Sequence, residues 1–257
     1  ARFSTLSVSL ADVSPALCPN PEYQPCDSRL DLKTEGIAPA GSFGLMAHPF
    51  RWLDVGANVG ALSQFFWEAS AGTSRLISVE PLPQNVAVIR ERIRRAGASA
   101  WVVEECAASG SEGAVAMGAF RLPGGGWNGV VGGTQGSAVT VPARRLSLLV
   151  PEATVVKVDI EGHEYEVLDE ALPQLVSVHT WALELHMVSG RPLERVLAQL
   201  AARGYRLLAA GRSRSAPSGP WVSTPIPPEL SWSQIPVAKT LLDGSVFKML
   251  HVIATRL

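Results

Sequence analysis

The chain has 257 residues, 47% of them hydrophobic, and a formal net charge of −1 at pH 7. That length supports one large domain with a full core, while near-neutral charge argues against a protein built mainly to hold nucleic acid, which favours a basic excess. No run of about 18 apolar residues suggests a membrane span, and three cysteines (Cys18, Cys26 and Cys106) suit a reducing, cytoplasmic setting better than a disulfide framework.

Residues 1–50 are rich in Pro, Ser and Ala with weak periodicity, and are expected to form an N-terminal arm or cap. Their start lacks a basic segment followed by an apolar core, so no signal peptide is read there. A regular alternation then runs from 51 to 257. RWLDV is a short strand, followed by a glycine loop and the helical stretch GALSQFFWEAS. RLISVE is a second strand. PQNVAVIRERIRRAG comes next as a helix, with Pro83 at its start and Gly97 as its stop. Its run Arg90, Glu91, Arg92, Arg94 and Arg95 reads as a solvated face. AWVVEE is a third strand.

Residues 108–150 change character. GAVAMGAF and SAVTVPARRL read as strands of a hairpin or insert. The glycine-rich stretch over 124–136 between them reads as a surface loop, with a mobile lip carrying Trp127 as the sharper alternative. TVVKVDI is a fourth strand of the main alternation and GHEYEVLDEALPQL a helix. HTWALELH is a fifth strand, RPLERVLAQLAARG a helix, and YRLLAAG a sixth strand. The Ser/Pro-rich segment 211–246, with Trp221 and Trp232, is expected to be a substrate lid or loop. VFKMLHVIATRL is a final strand. Such alternation predicts an α/β fold with a doubly wound, mostly parallel sheet. Ligands then bind beyond the carboxyl ends of the strands, near the topological switch point.

The residues just past each strand therefore matter most. After the first strand comes Asp54-Val55-Gly56-Ala57-Asn58-Val59-Gly60. Gly56 and Gly60 let the backbone turn and let a ligand approach. Asn58 stands where a dinucleotide loop has its second glycine, which argues against a pyrophosphate. Asp54 suits a cationic, phosphate-free ligand. Glu80 ends the second strand, where a carboxylate can accept from ribose hydroxyls. Leu82 is placed to pack on an adenine face, and Cys106 with Ala107 to line the opposite side.

DVGANVG, VEPLPQN and VVKVDIEGHEYEVL, in this order and spacing, resemble the FkbM family of S-adenosylmethionine-dependent methyltransferases over roughly residues 51–186. The resemblance implies a class I, Rossmann-like methyltransferase sheet of about seven strands, the last antiparallel. It also implies S-adenosylmethionine as cofactor, with contacts from Asp54, Gly56, Ala57, Asn58, Gly60, Glu80, Leu82, Cys106 and Ala107. The implied reaction is O-methylation of a hydroxylated sugar, polyketide or other secondary metabolite.

Period-two alternation puts Lys157, Asp159 and Glu161 on one side of the fourth strand. Asp159 is the candidate to orient or deprotonate the acceptor, with Glu161 and His163 behind it. Lys157, costly inside a sheet unless paired, is expected to meet Glu184, Asp54 or Asp159. Acidic Glu161 and Glu164 also suit the positive end of a helix. Without HExxH or a cysteine cluster no metal ligands are assigned, although Asp159, Glu161, His163, Glu184 and His186 have the chemistry to hold a divalent ion if the strand ends converge. The alternatives are a nucleic-acid or peptide acceptor, which needs a basic groove around Arg144, Arg145, Arg212 and Arg214, and an NAD-dependent oxidoreductase.

Overall fold

The computed structural model describes residues 50–122, 125–130, 139–186, 193–212, 221–226 and 249–256. The expected arm, with Cys18 and Cys26, therefore lies outside the described residues apart from Phe50. So do residues 124 and 131–136 of the glycine-rich stretch, Arg214, Trp232 and most of the segment 211–246.

Among the described residues the main sheet has eight strands. Its first half is β1 (Arg51–Val55), β2 (Arg75–Val79) and β3 (Trp101–Glu104), linked by helices α1 (Ala61–Ala69) and α2 (Pro83–Ala96). Its second half is β8 (Val155–Val158), β9 (Thr180–His186), β10 (Arg206–Arg212), β11 (Trp221–Pro225) and β12 (Met249–Thr255). Helix α4 (Glu164–Gln174) joins β8 to β9, and α5 (Leu193–Ala202) precedes β10. The order is β11-β10-β12-β9-β8-β1-β2-β3. Strand β12 runs antiparallel to both β9 and β10, as expected of the last strand in a class I methyltransferase sheet. Strand β11 adds an antiparallel edge inside the segment expected to be a lid.

The parallel strands are apolar because helices cover both faces. Leu53, Val55, Val156, Val158, Leu183 and Leu185 share one large core with Val167, Leu168, Ala171 and Leu172 of α4. Trp52, Leu76, Trp101, Phe66 and Ile89 form the core on the other face. Truncating a residue such as Leu168, fully buried, costs roughly 2–5 kcal/mol.

Four strands within 107–122, 125–130 and 139–145 form a separate sheet, ordered β4-β7-β5-β6. Its strands are β4 (Ala107–Ser109), β5 (Gly113–Leu122), β6 (Gly125–Val130) and β7 (Val139–Arg145), with the short helix α3 (Leu146–Leu149) leading out. Strand β6 corrects the expected surface loop: GGWNGV pairs antiparallel with β5, Trp127 opposite Phe120. Pairing to a neighbouring strand overrides the low strand preference of its glycines.

Helix α2 begins at Pro83 and ends with Gly97 at φ 60°, as its punctuation predicts. One residue of its expected solvated face is not solvated. Arg92 is buried, its Nε donating to the Val59 carbonyl at 2.8 Å and its guanidinium also reaching Gln64. Arg94 and Arg95 do remain outside, paired with Glu91. Among the described residues no helix is long and apolar enough to cross a membrane.

Candidate active site

The strand order reverses at β1. Strands β2 and β3 lie to one side of it and β8 and β9 to the other, so the ends of β1 and β8 define the switch point. The glycine loop and Asp159 meet there. Gly56 has φ +76°, and a Cβ on it would lie 1.8 Å from the Asp159 carbonyl oxygen. Glycine is thus required for the two strand ends to close on each other. Asn58 also has positive φ, 51°, which asparagine tolerates better than most residues. The missing second glycine is thereby explained without loss of the turn.

Glu80, at the end of β2, is almost fully buried. Its Oε2 accepts from the Asn58 backbone N–H at 2.9 Å. Its Oε1 accepts from the Leu82 N–H and Asn85 Nδ2, both at 3.1 Å. Burial pushes its pKa up to about 7, even though these donors pull the other way. A carboxylate offers about four lone-pair directions, so one remains on Oε2. Asn85 is a site residue that sequence reasoning misses; its place in the first turn of the helix after Glu80 is the available signal.

The remaining expected cofactor contacts are more inward-facing. Asp54 is fully buried and turned toward the sheet interior: Ser63 Oγ donates to it at 2.5 Å and Lys157 Nζ lies 3.4 Å away. Ser63 also meets Ser78 Oγ at 2.7 Å, and Trp101 Nε1 donates to Ser78 at 2.9 Å. Ala57 and Leu82 are buried, and the Ala57 N–H is tied to the Val79 carbonyl at 3.1 Å. The Gly60 N–H bonds the Ala57 carbonyl at 2.8 Å. Cys106 sits in the main core and Ala107 in the small core of the second sheet. Burial pushes the Cys106 thiol up to about 11.

Register sets Lys157 beside Asp54, since the two residues pair across β1 and β8. Its Nζ also lies 3.5 Å from Asp159 Oδ2 and donates to the Gly56 carbonyl at 2.9 Å. The buried lysine therefore has the carboxylate partners its position demands.

Beyond β8, Asp159 is partly open, its side chain 18% exposed. Burial nonetheless raises its pKa, against the opposing pull of Lys157. Glu161 occupies a positive φ of 55°, a conformation that is uncommon without glycine and clusters at functional turns. Its Oε2 lies 3.3 Å from His186 Nε2. Glu164 is more than a dipole partner at a helix start. It is fully buried, and its Oε1 accepts from the Ile160 N–H at 3.2 Å and the Gly162 N–H at 3.0 Å. The same oxygen meets His186 Nδ1 at 2.9 Å. His186 Nε2 is 3.6 Å from Glu184, and His251 Nδ1 approaches Glu184 from β12 at 3.5 Å. Burial works against a charged His186, but Glu161 and Glu164 override it and raise its pKa well above the ordinary range. His251 is pushed down to about 4 by burial and by His186. His163 is directed elsewhere, 3.6 Å from Glu166.

Of the expected ionisable residues, Asp159, Glu161, Glu184 and His186 are thus brought together at the ends of β8 and β9. Arg144 and Arg145 are engaged by carboxylates, Arg144 with Glu104 and Glu112 and Arg145 with Glu170 at 3.1 Å.

Residues 54–207 match the FkbM methyltransferase domain. No curated protein matches the chain. Among solved structures it is similar to a methyltransferase FkbM from Methylobacillus flagellatus KT, at 19% identity and TM-score 0.42, covering 62% of this chain and 40% of that one. It thus spans less than half the length of that protein. It is also similar to a precorrin-6y C5,15-methyltransferase from Geobacter metallireducens GS-15, at 12% identity and TM-score 0.41, covering 81% and 80% of the two chains. A putative tRNA (m1A22) methyltransferase from Streptococcus pneumoniae is similar at 11% identity and TM-score 0.43, covering 85% and 70%.

Proposed function

Because the chain belongs to the FkbM family of methyltransferases, we propose that it methylates a hydroxyl of a small molecule, such as a sugar, polyketide or other secondary metabolite, using S-adenosylmethionine. The observation that carries this reading is the meeting of the glycine loop after β1 with the carboxylates after β8 at one switch point. The residues there fit the cofactor. Glu80 keeps one lone-pair direction for a ribose hydroxyl. The carboxylates of Asp159 and Glu161 suit a cationic sulfur. When bound, the cofactor supplies a methyl group already activated on a sulfonium.

The protein's own part is positioning and proton removal. Holding the acceptor oxygen in line can lower the barrier by roughly 7–11 kcal/mol. Asp159 orients the acceptor hydroxyl, and the carboxylate of Asp159 or Glu161 takes its proton, worth about 10²–10⁴-fold. Lys157 holds Asp159 in place. The carboxylate partners of Arg144 and Arg145 favour a small acceptor over a polyanion. The low cysteine count supports a cytoplasmic setting. The arm over 1–50 and the segment 211–246 are where acceptor choice would reside.

The test is a screen of hydroxylated metabolites with labelled S-adenosylmethionine, alongside calorimetry with S-adenosylhomocysteine and NAD. Asp159→Asn should retain S-adenosylhomocysteine affinity and lose about 10²-fold or more in turnover. Undiminished turnover in that variant would remove Asp159 from the mechanism, and binding of NAD alone would overturn the reading as a whole.

A further inference from the structure

We propose that the ends of β8 and β9 form a divalent-cation site with Asp159, Glu184 and His186 as its ligands. One ligand atom from each of the three lies within 4.8 Å of the others. Ligands held about 2.1 Å from an ion stand roughly 3–4 Å apart. His186 Nε2 and Glu184 Oε1, at 3.6 Å, already have that spacing. Asp159 needs only a small side-chain adjustment to join them.

Three observations beyond the grouping itself point to a cation. The first is the orientation of His186. Its Nδ1 is held at 2.9 Å by the fully buried Glu164. A carboxylate on one ring nitrogen orients the ring and presents the other nitrogen to the site, as outer carboxylates do for metal-bound histidines. Without an ion, Nε2 carries a proton toward the carboxylates of Glu161 at 3.3 Å and Glu184 at 3.6 Å, and a bound ion would take that proton's place. The second is Asp159 Oδ1, which is buried without a hydrogen-bond partner while Oδ2 faces Lys157. The third is the charge. Asp54, Asp159, Glu161, Glu164 and Glu184 converge on Lys157 and His186. Five carboxylates thus face two basic side chains, and a further positive charge among them would relieve the repulsion that remains.

Two carboxylates and one imidazole, with further positions open to water or substrate, suit a first-row dication such as Mn²⁺. Glu184 is supported from behind by His251, as Glu164 supports His186. The proposal rests on the methyl-transfer reading and divides its roles. Asp159 becomes a ligand, the ion lowers the pKa of the acceptor hydroxyl, and the proton leaving that oxygen passes to Glu161.

The test is calorimetric titration of the chelator-treated full chain with Mn²⁺, with and without S-adenosylhomocysteine, supported by melting curves. One Mn²⁺ per chain should bind and raise the melting temperature. Glu184→Gln and His186→Ala should each weaken binding at least tenfold, a loss of about 1.4 kcal/mol or more. Two results would overturn the site: no Mn²⁺ binding by the wild-type chain in either condition, or equal affinity in wild type and in a folded variant. The wild-type titration decides even if a variant does not fold. S-Adenosylhomocysteine binding without Mn²⁺ binding would remove the cation and leave methyl transfer standing. Mn²⁺ binding without S-adenosylhomocysteine binding would do the reverse.

Discussion

Replacing Lys157 by methionine should be one of the most damaging single changes in the sheet. The side chain is buried between Asp54 at 3.4 Å and Asp159 at 3.5 Å, and it donates to the Gly56 carbonyl. Methionine keeps the volume and removes the charge. Asp54, fully buried, would then retain Ser63 as its one donor among the described residues. Breaking a buried ion pair from one side costs roughly 3–5 kcal/mol. For a domain of this size that corresponds to a fall of about 6–20 °C in melting temperature. Urea unfolding gives the loss directly, and the double variant Lys157→Met/Asp54→Asn checks its cause. If the cost lies in an orphaned carboxylate, removing that charge should recover part of it, with a coupling of about 0.5–3 kcal/mol. A loss below about 1 kcal/mol, or no recovery in the double variant, would refute the account of Lys157 as the counter-charge of the switch point.

Glu80 makes stability depend on pH. Its folded pKa of about 7 lies above the ordinary 4.5, so the stabilisation it gives is fully present below 4.5 and is lost as pH rises through 7. The loss amounts to about 3 kcal/mol. Melting curves between pH 5 and 8 should show it in the wild type and not in Glu80→Gln; parallel curves would refute it. Gly56→Ala should cost roughly 2–5 kcal/mol from its left-handed backbone and its clash with the Asp159 carbonyl. Gly97→Ala, at φ +60° with nothing within 4 Å of the added carbon, should lose only the backbone part, about 1–2 kcal/mol by urea titration. Equal losses at the two positions would remove the steric argument for Gly56.

Much of the framework was legible in the sequence because parallel strands buried on both faces read as unbroken apolar runs. Pro83 and Gly97 marked their helix for a simple stereochemical reason, a fixed φ at one end and a positive φ at the other. Lys157 also betrayed itself, since a lysine in VVKV demands a partner and strand alternation aimed it toward Asp159. Other features depend on pairings between distant segments. Strand β6 is disguised by its glycines and exists through its partner β5. Arg92 looks like its exposed neighbours, and only the packing of α2 against the glycine loop shows that it is buried. Glu164 has the address of a helix-start acid, and nothing local shows that it folds back over its own turn to reach His186. His251 supports Glu184 only because β12 pairs with β9 in one register.

The placement of β12 also carries a consequence for the order in which the molecule is made. It lies between β9 and β10, two strands that precede it in the chain. During synthesis those strands emerge with a gap between them, and their facing edges wait for residues 249–255. The glycine loop, Glu80 and Lys157 belong to strands that can pair earlier. Glu184 receives His251 only when the gap is filled. The glycine loop, Glu80 and Lys157 can therefore be fixed in the sheet before residues 249–255 are made, whereas the surroundings of Glu184 are completed only after them.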